Sequence, residues 1–72
     1  MADMKFSTGN QIKGKIMEIR KGAVTAILYV AVAGDTTLEV SVTIPALETL
    51  KLYEGKQVIL MINPGDIIVG CE

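Results

Sequence analysis

Residues 7–26, STGNQIKGKIMEIRKGAVTA, decide how the rest of the chain is read. A polar, glycine-bearing entry from Ser7 to Asn10 leads into a basic, half-apolar segment, Lys21-Gly22 interrupts it, and a more apolar segment follows. Gln11 to Lys21 predicts a strand with Ile12, Gly14 and Ile16 on one face and Met17 and Ile19 on the other. A switch of apolar face between Ile16 and Met17 indicates a β-bulge or a strong coil. Gly14 in mid-strand points the same way, because a missing side chain marks a bend or a close approach of backbone.

Beyond this stretch the chain alternates strands and turns. Ala23 to Ala33 predicts a second strand, with Val24, Ala26, Leu28, Val30 and Val32 on one face and Ile27, Tyr29, Ala31 and Ala33 on the other. A strand apolar on both faces needs cover on both. Gly34-Asp35-Thr36 predicts a hairpin turn. The third strand, Thr37 to Ile44, alternates cleanly, with Leu38, Val40, Val42 and Ile44 inward. Pro45 stops it and opens a short helix through Ala46 to Leu50, whose Leu47 and Leu50 would plug an open end of the sheet. Tyr53-Glu54-Gly55 is a turn, Lys56 to Ile62 a fourth strand, Asn63-Pro64-Gly65-Asp66 another turn, and Ile67 to Val69 a short fifth strand. The expected fold is all-β with one short helix: a five-stranded, OB-like Greek-key barrel in one domain, residues 1–72. A two-sheet sandwich is the alternative architecture.

Seventy-two residues, half of them apolar, give a small sphere more apolar side chain than it can hide. Small chains close that gap with disulfides, a metal or self-association. Cys71 is the single cysteine and there is no histidine, so neither an internal disulfide nor an ordinary zinc site is available. Self-association remains, and an oligomer is expected. A net charge of −1 offers no field to draw nucleic acid or an anionic membrane, and the three aromatics, Phe6, Tyr29 and Tyr53, are scattered. No apolar run reaches the roughly 18 residues of a membrane span. One free cysteine and a start without a signal-like apolar run suit the cytoplasm.

Catalysis fails on inventory. Without histidine there is no Ser-His or Cys-His nucleophile and no imidazole base, and the acids fall mostly in turns or on outward strand positions, as on a solvated surface. No enzyme activity, cofactor or metal is therefore expected. Gly9 to Lys15, GNQIKGK, comes near a phosphate-loop pattern, but Ile16 stands where a magnesium-binding hydroxyl is needed. What remains is anion binding by backbone: turns rich in Gly, Ser, Thr and Asn can aim several N–H groups into one concavity. Ser7 to Asn10, Asn63 to Asp66, and Lys21 to Thr25 are the three candidate turns.

Ser7 to Ile16, followed by Lys21-Gly22-Ala23-Val24-Thr25-Ala26, resembles the molbindin (Mop) family, with its opening Ser-Ala-Arg-Asn-Gln/Lys-Leu-x-Gly-x-Val and its later Lys-Gly-x-Val-x-Ala/Ser. The likeness continues through Val42 to Leu50 and the Glu54-Gly55-Lys56 turn. It implies an OB-like barrel whose long first strands associate in dimers, commonly built up to a hexamer. It also implies molybdate or tungstate held between subunits by backbone N–H groups and hydroxyls, for storage or homeostasis without chemistry. On that resemblance the oxyanion-binding residues are Ser7, Gly9, Asn10, Lys21, Val24, Thr25, Ala26, Asn63 and Gly65. Two positions depart from the family: Gly9 replaces an arginine, and Asn63-Pro64-Gly65 replaces Lys-[AS]-[ST]. An oligomeric assembly module of the same fold, with oxyanion binding weakened or lost, serving as scaffold or binding another ligand, is the alternative reading.

Overall fold

The computed structural model describes residues 9–72. Its spine is β1 (Asn10–Lys21), flanked by β2 (Thr25–Val32) on one side and β4 (Gln57–Ile62) on the other, with β3 (Thr36–Thr43) outside β2. All pairings are antiparallel and the order is β3-β2-β1-β4. Three hairpin-linked strands with a fourth returning beside the first make a Greek key. The helix α1 (Ile44–Thr49) lies on the long connection.

The expected bulge is present. The β1–β2 register shifts between Ile16 and Glu18, leaving Met17 as the extra residue, exposed to solvent. That extra residue changes the expected faces. Ile16 is fully buried and Ile19 packs on the same core, because the bulge turns the strand back inward after Met17. Gly14 is needed for close approach: a Cβ there would stand 2.5 Å from Val30 Cγ1 and 3.0 Å from the Ala31 carbonyl oxygen.

The core comprises Ile16, Ala26, Leu28, Val30 and Leu47, with Ile19, Val32, Val40, Val42, Ile44, Leu52, Val58 and Leu60 packed around it. β2 is shorter than its apolar pattern. Val24, expected inward, is 71% exposed, because the chain is still turning there and the strand begins only at Thr25. The β2–β3 turn uses positive φ at both Gly34 and Asp35, the handedness that suits a tight reversal between right-twisted strands.

Thr43 caps α1, its Oγ1 accepting from the Ala46 N–H at 3.2 Å, and Pro45 sits in the first turn where its missing N–H costs nothing. Leu47 plugs the sheet as expected, but Leu50 does not. Lys51 takes a positive φ, the chain reverses, and Leu52 packs on the core instead while Leu50 stays exposed. The Lys56 ammonium holds that reversal by donating to the carbonyls of Leu50 and Lys51 at 2.8 and 3.0 Å. Farther on, the Glu54 carboxylate accepts from the Ile19 N–H at 3.2 Å, beyond the point where β4 stops covering β1.

The fifth strand is a correction. Ile67 to Val69 form no strand, and Ile68 and Val69 are 94% and 88% exposed. After the 3₁₀ turn Pro64–Asp66, the Ile67 N–H bonds back to the Pro64 carbonyl, and among the described residues nothing ties the segment to a sheet edge. Three apolar residues with no edge to pair on cannot hold a ladder. The expected barrel accordingly stays open within one chain. β3 and β4 do not pair, and Leu38 to Ser41 face Ile59 to Ile62 across a groove of about 490 Å³.

Candidate oxyanion site

The nominated residues fall at opposite ends of β1. At about 3.3 Å per residue, the 12 residues of that strand separate the two groups by roughly 35 Å along the chain. Ser7 lies outside the described residues.

At the far end of β1 the chain turns from Lys21 to Thr25. The Gly22 N–H closes the turn by donating to the Thr25 carbonyl at 2.7 Å. The Val24 carbonyl accepts from the Ile44 N–H at 3.0 Å, so the start of α1 fixes the orientation of that peptide. With those groups engaged, the N–H groups of Ala23 and Val24 have no acceptor among the described residues. Adjacent N–H groups left free in a turn are the donors from which a backbone anion cradle is built.

Two side chains add to them. Lys21 and Thr25 are exposed, one on each side of the turn, and Lys21 has no carboxylate partner among the described residues. The neighbouring cation is already committed. Arg20 Nε donates to Glu18 Oε2 at 2.6 Å and its guanidinium lies 5.3 Å from the Tyr29 ring. The hydrogen bond to Glu18, then the Glu18 charge, hold the Arg20 pKa above its ordinary value. Ala26 contributes differently from the others: its side chain is buried in the core and its backbone pairs with Lys21 and Val42.

At the near end, Asn10 pairs with Ile62, which brings Gly9 alongside the Asn63–Asp66 turn. A Cβ on Gly9 would lie 3.6 Å from Pro64 Cγ, so the two positions that depart from the family pattern face each other. The Asp66 N–H donates to the Asn63 carbonyl at 2.9 Å, and the Asn63 side chain makes no capping bond. Asn63 and Gly65 each retain an N–H without an acceptor among the described residues, Pro64 between them has none to give, and Asp66 adds a carboxylate.

Ala23, Thr43 and Ile44 belong to the turn's machinery but not to the nominated set. Pro45 marks the helix and Thr43 caps it, but the bond from the Ile44 N–H to the Val24 carbonyl joins distant segments and has no local signal. No group of three or more acidic, histidine or cysteine side chains among the described residues could hold a metal ion. No helix among them is long and apolar enough to cross a membrane.

Residues 7–69 match the TOBE domain. The chain is 36% identical over 69 residues to a probable molybdenum-pterin-binding protein of Haemophilus influenzae, an alignment covering 96% of this chain and all of the other. In three dimensions it is similar to a molybdate-binding protein from Sporomusa ovata, with a TM-score of 0.88, 28% identity, and coverage of 94% of this chain and 100% of the other. It is also similar to the cytoplasmic molybdate-binding protein ModG, in a crystal form with molybdate bound, at a TM-score of 0.79 and 32% identity. That match covers 83% of this chain and 43% of ModG.

Proposed function

This chain belongs to the TOBE-domain family, in its molbindin branch of molybdenum-pterin-binding proteins, and from that membership we propose that it binds molybdate. The ion is held without chemistry, for storage or homeostasis in the cytoplasm, with tungstate as a second ligand of the same shape and charge. The observation that carries this reading is the pair of free N–H groups at Ala23 and Val24, set between the Lys21 ammonium and the Thr25 hydroxyl. A tetrahedral dianion is matched by converging donors and one mobile positive charge. No cofactor enters the reading, and the whole chain acts as one domain.

The turn is open to solvent on the outside, with Val24 71% exposed beside the donors. Water competes for an anion in such a place, so a second copy covering the turn is part of the proposal. The other end of the molecule supports self-association independently. β3 and β4 each present an unpaired edge to the groove between them, and Ile67 to Val69 is an exposed apolar segment with no seat among the described residues. The tail of one subunit fills the groove of another, supplying the fifth strand and closing the barrel, and dimers built this way associate further to a hexamer. Edges that would otherwise invite uncontrolled pairing are thereby used up.

Calorimetric titration of the purified protein with molybdate, tungstate and sulfate tests the ligand. Saturable binding of molybdate in the micromolar range is expected. Absence of heat at tens of micromolar for both metal oxyanions would leave only the assembly role standing.

A further inference from the structure

Resting on the molybdate-binding reading above, we infer that only one end of β1 takes the oxyanion: the Lys21–Thr25 turn carries all of the binding, and the end at Gly9 and Asn63–Gly65 is closed to anions in this chain. Both ends are glycine-bearing turns beside the same strand, so sequence pattern alone treats them as equals. Their donor chemistry is unequal. The turn at Lys21 offers two adjacent free N–H groups, an uncommitted ammonium and a hydroxyl. The turn at Asn63 offers two free N–H groups, at Asn63 and Gly65, but they are separated by a proline that has none, and the turn adds the Asp66 carboxylate and no cation.

Space and charge add to that difference. The Pro64 ring lies where a side chain at position 9 would extend, 3.6 Å from where its Cβ would begin. None of Gly9, Asn10 and residues 62–66 is basic. A dianion placed there would meet an apolar ring and a carboxylate of its own sign, and repulsion between like charges acts directly against binding. The consequence is a single class of oxyanion sites, at the turn, and a near end that serves instead as the pivot from which Ile67 to Val69 leaves the sheet.

Four proteins test this by molybdate titration, each first checked for an unchanged elution volume: the unaltered chain, Lys21→Met, Asn63→Ala and Asp66→Asn. The unaltered chain should show one class of sites. Lys21→Met should weaken binding about tenfold or more, the worth of one charge-assisted contact. Asn63→Ala and Asp66→Asn should each stay within about threefold, as surface substitutions remote from a site do. Larger changes from either near-end substitution, or a second class of sites that survives Lys21→Met, would overturn the inference. No binding by the unaltered chain is a separate result: it would remove the molybdate reading as a whole, and this inference with it.

Discussion

The two ends of β1 are made from similar residues and finished differently. At one end the strand runs into a turn closed by a single bond, Gly22 N–H to the Thr25 carbonyl, which leaves the next two N–H groups without an acceptor among the described residues. At the other, a proline ring packs against a glycine and a 3₁₀ turn consumes the Asp66 and Ile67 N–H groups within four residues. The difference teaches where a sheet protein has donors to spare. Strand interiors use theirs in the ladder, so a ligand that needs backbone N–H groups must bind where pairing stops and nothing local replaces it. Among the described residues, the Lys21 end meets that condition with a cation beside it.

The harshest way to break the comparison is to break the strand that joins its two halves. Gly14→Val puts a branched side chain where even a Cβ would collide with Val30 and the Ala31 carbonyl. It should destabilise the fold by about 3 kcal/mol or more, at the upper end of overpacking costs, and abolish both binding and assembly. Urea denaturation followed by circular dichroism reads the first, and a stable, assembled variant would show that the strands separate more easily than the geometry implies.

Next in size is a change confined to the tail. Ile68→Asp puts a charge on the segment assigned to a neighbour's groove, and it should shift elution sharply toward the 7.7 kDa monomer at micromolar concentration. An unchanged elution volume would mean that assembly uses another surface.

Thr43→Ala sharpens the comparison more gently. It removes the cap of α1 and should cost about 1 kcal/mol of stability. Because the Ile44 N–H positions the Val24 carbonyl, molybdate binding should weaken by a few fold while elution stays the same. Equal loss of both would contradict the separation of the two ends.

Glu18→Gln should do least. It releases Arg20 from its surface ion pair, and exposed pairs of this kind contribute little. Binding and melting midpoint should both stay put. The raised Arg20 pKa means that any stability from this pair is fully present below the unfolded-state value and is lost only as pH rises through the folded one. Both lie far on the alkaline side of neutrality, so no pH dependence near neutrality should arise from Arg20.

Much of the fold was legible because its signals were local. The alternation of Leu38, Val40 and Val42, the bulge at Met17, the glycine at position 14 and the proline at position 45 each report on their own neighbourhood, and each reading matched. The misreadings came where tertiary context decides. Apolarity put Val24 inside β2, yet the turn needed it; it put Leu50 in the core, yet the reversal at Lys51 substituted Leu52. Ile67 to Val69 has the composition of a strand but no edge to pair on among the described residues, and composition does not reveal that. At the candidate site, residue types marked the turns as candidates. They could not reveal which N–H groups were already spent, because that depends on the Ile44–Val24 bond between segments 20 residues apart in sequence.

A groove between β3 and β4 that is filled by a second copy, as proposed, would give the protein a dependence on its own abundance. If each subunit completes its neighbour, part of the folding free energy is binding free energy, and dilution erodes it. Every tenfold drop in concentration takes about 1.4 kcal/mol from a dimer's advantage over two separated chains. On that proposal, a newly made chain that meets no second copy would carry two bare strand edges and an exposed tail, and its lifetime as a folded molecule would be set by how soon it finds one. The capacity to hold the ion would then rise faster than in proportion to the amount of protein made.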